Sequence, residues 1–289
     1  MCLGLLAAGC ASMPEQRRGA VASARADIQV LIATSHADVA VAWRPLDAKR
    51  GEELLISETT RFHAASTMQV PVMIELFRQV SLKKLSLDDP LTVSNHFTSI
   101  VDGSDYELSA TEDSDGEVYK SIGKPMTIRA LCEAMITVSS NLAANNLIQK
   151  LGPKNIQATT DKLGASGMQV MRGVEDLKAF DAGRNNTTDA MGLFTLMLKI
   201  GRGQAVNHEA SEAMVEILKR QHFNAGIPAG LPPGTPVAHK TGTVTRIHHD
   251  AGIVYAGRTY VLVVLVRGLD KESDADALIA AITRVIARI

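Results

Sequence analysis

Residues 235–268 read TPVAHKTGTVTRIHHDAGIVYAGRTYVLVVLVRG, and this stretch decides the fold class. It contains three runs with strand-like composition, at 235–244, 250–257 and 258–268. The short turn Ala256-Gly257-Arg258 lies where the last two runs meet. Apolar and β-branched runs joined by so short a turn predict antiparallel strands.

Both ends of the chain supply similar material. An amphipathic helix is predicted at 275–289, and residues 15–34 also have helical spacing. Two strand-like runs, ADVAVAW (37–43) and ELLIS (53–57), follow the first helix. We therefore predict one antiparallel sheet that both chain ends complete and that the terminal helices flank.

The middle of the chain is mostly helical. Apolar residues recur with helical spacing in six segments: 68–80, 127–138, 142–151, 154–163, 187–200 and 210–221. The predicted fold class is α+β, with an α/β lobe made from two separate stretches and an all-helical lobe inserted between them. We predict the α/β lobe at 13–63 and 208–289, and the helical lobe at 64–207.

Composition excludes several classes of protein. The chain has 289 residues, 30 basic and 31 acidic, for a net charge of −1. This balance argues against nucleic acid as the main partner, because such a partner requires a basic excess or patch. No run of 18 apolar residues occurs, so the sequence predicts no membrane-spanning helix.

The first residues differ from the rest. Residues 1–12 read MCLGLLAAGCAS, an apolar run followed by small residues and Cys10. This resembles a bacterial lipoprotein signal, with cleavage before Cys10 and lipid attached to that cysteine. The segment predicts an exported protein, periplasmic or elsewhere in the cell envelope, that meets the membrane only through this lipid anchor. A frayed apolar N-terminus is the alternative.

Three short segments carry residues suited to chemistry. They are Ser66-Thr67-Met68-Gln69, Ser139-Ser140-Asn141 and Lys240-Thr241-Gly242-Thr243. Alone, each has an ordinary interpretation as a helix cap, an inter-helix turn and an edge-strand lysine. Their order and wide separation suggest more than that.

The three segments resemble the motifs S-x-x-K, S-D-N and K-T-G of the class A β-lactamases and penicillin-binding proteins. The resemblance extends from about residue 20 to the C-terminus, and it includes the surroundings FHAASTMQVPV and HKTGT. Two positions depart from the motifs. Gln69 stands in place of the lysine, and Ser140 stands in place of the aspartate.

The resemblance implies roles for particular residues. Ser66 is the expected nucleophile, and the backbone N–H groups of Ser66 and Thr243 are the expected oxyanion hole. Ser139 would relay a proton to the leaving nitrogen, and Lys240 would supply positive charge. The expected substrate-binding residues are Asn141, Thr241, Gly242, Thr243 and Arg246. For Arg246, a solvated turn arginine is an equal alternative.

The loop RGVEDLKAFDAGRNN (172–186) resembles the omega loop of this family. Glu175 is the candidate for the carboxylate that activates the deacylating water, with neighbouring Asp176 as its rival. An exposed loop acid paired with Arg172 or Lys178 is the alternative interpretation of Glu175. Ala179 falls where an asparagine usually helps to hold that water.

Gln69 bears most directly on activity. Residues 66 and 69 are neighbours on a helix, so a lysine at 69 could take the proton of Ser66. An amide does not titrate near neutral pH, and loss of a general base costs about 10²–10⁴ in rate. The predicted function is a serine β-lactamase that Gln69 impairs. The alternatives are a D-Ala-D-Ala peptidase or esterase, and a non-catalytic binder of β-lactam or peptidoglycan.

The sequence predicts no cofactor and no metal. His248 and His249 are adjacent on a strand, so their imidazoles point to opposite faces, which disfavours zinc. The acidic run EDSDGE (112–117) lacks the ligand order of a known calcium loop. The expected partner is a small β-lactam or a cell-wall peptide, and a monomer is expected.

Cys10 should carry lipid when the protein is made in a bacterial host. Radiolabelled palmitate should enter the wild type and should not enter Cys10→Ser. Equal labelling of the two proteins, or labelling of neither, would remove the lipoprotein interpretation.

Overall fold

The structure is a computed structural model that describes residues 15–48 and 51–289. The predicted signal segment 1–12, with Cys10, lies outside the described residues. Within the described part, no helix combines the length and the apolar character needed to cross a membrane.

The helices are α1 Glu15–Ser35, α2 Gln69–Ser81, α3 Ile128–Thr137, α4 Asn141–Leu151, α5 Pro153–Lys162, α6 Leu177–Asp181, α7 Ala190–Gly201, α8 His208–Leu218 and α9 Glu272–Ile286. The strands are β1 Asp38–Pro45, β2 Leu54–Ile56, β3 Phe62–His63, β4 Pro90–Thr92, β5 Phe97–Thr98, β6 Asp105–Tyr106, β7 Pro125–Thr127, β8 Thr187–Thr188, β9 Val237–Val244, β10 Ile247–Val254 and β11 Tyr260–Arg267. Short 3₁₀ turns occur at Ala65–Met68, Val118–Ser121 and Pro228–Gly230.

The main sheet has five antiparallel strands in the order β2-β1-β11-β10-β9. The pairing of β1 with β11 runs from Asp38 opposite Arg267 to Pro45 opposite Tyr260. Both chain ends therefore complete one sheet, as the sequence predicted. The α+β fold class, with flanking terminal helices and a separate helical region, is confirmed.

The sheet is buried on both faces. One face packs against α1 and α9, through residues such as Ile28, Val264 and Ile279. The other face packs against the helical region, where Ala42 and Val263 join the same apolar cluster as Leu76 of α2. Because both faces are covered, β11 reads as a continuous apolar run instead of an alternating one.

One predicted boundary was wrong in a way that affects the site. Strand β10 begins at Ile247, not at residue 250. Thr245 and Arg246 form a two-residue turn after Val244, and Arg246 has a left-handed φ of 59°. The earlier start brings His248 into the sheet directly opposite Thr243.

Candidate active site

Ser66 lies on a tight turn that joins β3 to α2. It is the second residue of the 3₁₀ turn Ala65–Met68, and Ala65 before it has a left-handed φ of 45°. No side chain caps either this turn or α2, so Ser66 is not the helix cap that an isolated serine would suggest. Its half-buried side chain opens onto two cavities, of about 470 and about 250 Å³.

Strand β9 lies against this turn. A Cβ atom on Gly242 would lie 3.1 Å from the backbone nitrogen of Ser66 and 2.9 Å from that of Thr67. Only a residue without a side chain allows the edge of the sheet to come so close to the serine. Close contact with the turn of Ser66 thus explains why residue 242 is a glycine.

Lys240 reaches across to the helical region from the same face of β9 as Gly242. Its Nζ donates to Ser139 Oγ at 2.9 Å and to the Thr241 carbonyl oxygen at 2.9 Å. The side chain is completely buried. Burial lowers the pKa of Lys240 to about 7, and the charge of Asp250 opposes this shift. Lys240 therefore changes between its charged and neutral forms near neutral pH while it is hydrogen-bonded to Ser139.

The turn between α3 and α4 presents Ser139 and Asn141. Ser139 has a left-handed φ of 61°. Ser140 caps α4, and its Oγ accepts a hydrogen bond from the Ala143 N–H at 3.3 Å. Ser140 therefore satisfies one N–H group at the start of α4.

Asp113, from the acidic run 112–117, completes this cap. One of its oxygens accepts from the Asn141 N–H and the other from the Leu142 N–H, both at 3.0 Å. A carboxylate at a helix N-terminus also meets the positive end of the helix dipole. The sequence analysis considered this run only as a calcium loop and missed Asp113. No local signal marks a contact between residues 28 positions apart.

Glu175 and Asp176 have separate places. Glu175 faces the smaller cavity, and its Oε1 accepts from Asn141 Nδ2 at 2.8 Å. Asp176 caps α6, and it also accepts from Ser99 Oγ and from the Ile100 N–H. Burial raises the pKa of the Glu175 carboxyl, with Asp113 and Glu112 adding to the rise and Asn141 opposing it.

The surroundings of Glu175 hold it in the cleft. It pairs neither with Arg172, which donates to the carbonyl oxygens of Gly173 and Arg184, nor with Lys178, which pairs with Asp102. Asn145 of α4 holds Val174, the residue before Glu175, through two hydrogen bonds. Its Oδ1 accepts from the Val174 N–H, and its Nδ2 donates to the Val174 carbonyl oxygen. Sequence reasoning did not single out Asn145.

Ala65, Ser139 and Glu175 share a backbone feature. Each is a non-glycine residue with φ between 45° and 61°. Such a conformation costs about 1–3 kcal/mol at each residue unless its surroundings hold it. Here these residues lie at the turn of Ser66, at the turn between α3 and α4 and on the loop of Glu175. They are three of the seven described non-glycine residues with positive φ, so part of the backbone strain lies where the side chains of the cleft converge.

Gln69 is fully buried at the start of α2. Neither Oε1 nor Nε2 of its amide has a hydrogen-bond partner among the described residues. An unpaired buried polar group costs about 1–3 kcal/mol. Gln69 therefore offers neither a proton acceptor nor stability at the position of the S-x-x-K lysine.

The predicted substrate-binding residues Thr241, Thr243 and Arg246 separate into two groups. Thr241 and Thr243 line the larger cavity together with Ser66. Arg246 lines neither cavity that contains Ser66. Its guanidinium donates to the Gly268 carbonyl oxygen at 2.6 Å and lies 3.2 Å from Asp270, as expected of a turn arginine.

Among the described residues, one group has the chemistry of a metal site. The candidate ligand atoms of His248, Glu272 and Asp276 lie within 4.8 Å of one another. Both imidazole nitrogens of His248 are already hydrogen-bonded, to Thr243 and to Asp276. A metal ion would have to displace one of these partners.

Comparison with known proteins identifies β-lactamases as relatives of this chain. A model of the β-lactamase enzyme family matches residues 23–289. The β-lactamase of Streptomyces albus G is 28% identical over 196 residues, which cover 63% of this chain and 62% of that protein. β-Lactamase 3 of Bacillus cereus is 25% identical over 248 residues, or 83% of this chain and 74% of that protein. For three of the curated relatives, the match spans only 54–62% of their length.

Solved structures agree over nearly the whole chain. The structure of PBP-A has a TM-score of 0.78 and 26% identity, and the match covers 92% of this chain and 95% of that one. A mutant of PBP-A, in acyl-enzyme complex with penicillin G, has a TM-score of 0.77 and 25% identity. The match covers 92% of this chain and 96% of that one.

Asp113 should stabilise the fold through the N-terminus of α4. Asp113→Ala leaves two N–H groups without their acceptor, so the free energy of unfolding should fall by about 1–2 kcal/mol. The matched control is Asp115→Ala, which removes the same charge but accepts only from the nearby Glu117 N–H. Thermal unfolding of both variants checks this, with an expected loss for Asp113→Ala of about 2–4 °C. Equal losses would contradict the capping role.

Proposed function

The chain belongs to the β-lactamase enzyme family, and from that membership we propose that it is a serine hydrolase that opens β-lactam amides through an acyl-enzyme on Ser66. The observation that carries the proposal is the convergence of Ser66, Ser139, Lys240, Asn141 and Glu175 around one cleft. These residues come from four separate places in the chain, since Ser139 and Asn141 belong to one short segment.

Attack by Ser66 Oγ on the lactam carbonyl carbon forms a tetrahedral oxyanion. The backbone N–H groups of Ser66 and Thr243 would donate to that oxygen, at the contact that Gly242 makes possible. Each such donor contributes about 10²–10³ in rate. The contribution requires that β9 stay against the turn of Ser66.

Proton transfer has to proceed without a lysine at position 69. In our proposal, Ser66 passes its proton to Ser139 Oγ, and Ser139 passes its own proton to the neutral amine of Lys240. The hydrogen bond of 2.9 Å between Ser139 and Lys240, and the lowered pKa of the lysine, support this route. When the C–N bond of the lactam breaks, the proton returns through Ser139 to the leaving nitrogen.

Deacylation is assigned to Glu175. Its carboxylate would take a proton from a water molecule as that water attacks the acyl carbon, and Ser66 would leave with the proton. The raised pKa of Glu175 suits a general base, because a stronger base accepts the proton more readily. Asn141, bonded to Glu175, would also hold the amide side chain of the substrate.

Gln69 favours a second candidate function, the non-catalytic binder of β-lactam or cell-wall peptide. A binder needs the cleft and the two threonines, Thr241 and Thr243, that would bind a carboxylate of the ligand. It needs no base beside Ser66. Lipid attachment at Cys10 and a periplasmic or cell-envelope location are compatible with both candidates, and they remain proposals.

The proposed function is tested by intact-protein mass after exposure to a penicillin. We expect the mass to rise by that of the penicillin, and peptide mapping should place the adduct on Ser66. Ser66→Ala should show no adduct, and in Glu175→Gln the adduct should persist longer than in the parent. No adduct in the folded parent would favour the binder, and an adduct elsewhere would overturn the assignment of Ser66.

Gln69→Lys should raise the acylation rate. A buried lysine there adds a proton acceptor next to Ser66, but Ser139 and Lys240 already supply one. We therefore expect a gain of about tenfold, instead of the 10²–10⁴ typical of a restored general base. Stopped-flow acylation by nitrocefin gives the second-order rate.

Gln69→Met is the matched control for that experiment. It fills the same space without a titratable group, so acylation should not accelerate. Removal of the unpaired amide should raise the free energy of unfolding by about 1 kcal/mol. A gain of 10²–10⁴ in Gln69→Lys would refute the role of Lys240 as base. No gain in a folded Gln69→Lys would mean that the cleft lacks more than one lysine.

A further inference from the structure

The hydroxyl of Thr243 is the first member of a row of three hydrogen-bonded side chains along the wall of the cleft. Thr243 Oγ1 lies 2.7 Å from His248 Nδ1, and His248 Nε2 lies 2.7 Å from Asp276 Oδ1. All three residues line the same cavity as Ser66. The row joins β9, β10 and α9, and the proposed reaction does not use its other two members.

His248 is the only basic side chain among the described residues that line this cavity. The other cations nearby are engaged elsewhere. Lys240 is buried behind β9 and donates to Ser139 and to the Thr241 carbonyl oxygen. Arg246 is bound to the Gly268 carbonyl oxygen and to Asp270. Recognition of a substrate carboxylate therefore falls to Thr241, Thr243 and the groups behind them.

The hydrogens in the row can be assigned from what each group can donate. The Asp276 carboxylate only accepts, so His248 Nε2 carries a hydrogen. In neutral His248, Nδ1 is then a bare acceptor, and it takes the hydroxyl hydrogen of Thr243. In protonated His248, Nδ1–H donates to Thr243 Oγ1, and the hydroxyl hydrogen becomes available to the cleft, where Glu272 Oε1 at 3.5 Å is a more distant competing acceptor.

We propose that His248 is a specificity-determining positioning residue whose protonation decides whether Thr243 donates a hydrogen bond to the carboxylate of the substrate. The inference rests on the proposed function, which supplies a substrate with a carboxylate. It adds a preference: anionic β-lactams are favoured over uncharged ones more strongly while His248 is protonated.

The charged groups around His248 determine where this change occurs. Asp276 and Glu272 face it from α9, Thr243 faces it from β9, and Asp250 and His249 are its neighbours on β10. Burial lowers the pKa of His248, but the hydrogen bond to Asp276 and the nearby carboxylates outweigh it, so the net pKa is raised. The donating form is therefore present at low pH and is lost as pH rises through this raised pKa.

Equilibrium binding to Ser66→Ala tests the proposal without any chemistry. Calorimetry at a series of pH values compares a penicillin with its methyl ester, and the quantity of interest is the ratio of the two dissociation constants. The preference for the free acid should fall by about tenfold as pH rises, because a hydrogen bond to a charged acceptor is lost. Lys240 also titrates near neutrality, so variants are needed to identify the group responsible.

In the same background, Asp276→Asn removes the charge that supports protonated His248. The fall in preference should then shift to lower pH by about one unit or more. Asp270→Asn is the matched control, because Asp270 pairs with Arg246 and not with His248, and it should leave the midpoint unchanged. Thr243→Ala should remove the part of the pH dependence that Asp276→Asn shifts, while its backbone N–H remains.

Nitrogen-15 NMR of His248 in the same proteins reports its protonation directly. If NMR shows that the pKa of His248 has moved in Asp276→Asn while the binding midpoint has not, the proposal is overturned. A neutral His248 that carries its hydrogen on Nδ1 would overturn it as well. Failure of both ligands to bind at any pH would refute the proposed function instead.

Discussion

The contact between Gly242 and the turn of Ser66 is the constraint on which the site depends. Strand β9 alternates its side chains between two faces. With Gly242 against the turn, Lys240 on the same face points at Ser139, whereas Thr243 on the other face meets His248. One close approach therefore fixes the proposed oxyanion hole, the proposed proton relay and the proposed carboxylate site together. A side chain at position 242 would push all three apart.

Burial away from water has opposite consequences for Lys240 and for Gln69. The same burial that lowers the pKa of Lys240 to about 7 leaves the Gln69 amide without a partner. For the lysine, burial produces a group that exchanges protons at neutral pH. For the glutamine, it produces only an energetic cost, since an amide cannot respond by changing its charge. Whether burial of a side chain can serve the chemistry depends on whether that side chain can change its charge, and not on how deeply it is buried.

The sequence was informative where signals are local or belong to a motif. The terminal strands followed from their β-branched composition, and Ser66, Ser139 and Lys240 followed from motifs that the structure brings together. The start of β10 was misplaced because a turn at Arg246 with positive φ leaves no glycine to mark it. Asp113 and Asp276 could not be predicted, because each acts on a segment 28 residues away and looks like an ordinary surface acid. The choice between Glu175 and Asp176 needed the cap of α6.

The pairing of β1 with β11 has a consequence for how the protein comes into being. The first and last strands of the sheet are more than two hundred residues apart in the chain, and Lys240 lies on the strand at the edge of that sheet. Closing so long a loop is slow, and folds dominated by distant contacts fold slowly. During synthesis, the helical region with Ser66 emerges well before the strands that complete its cleft. A nascent chain thus carries Ser66 before it carries Lys240 and Thr243, and the cleft around this serine is assembled only after β9, β10 and β11 have been made.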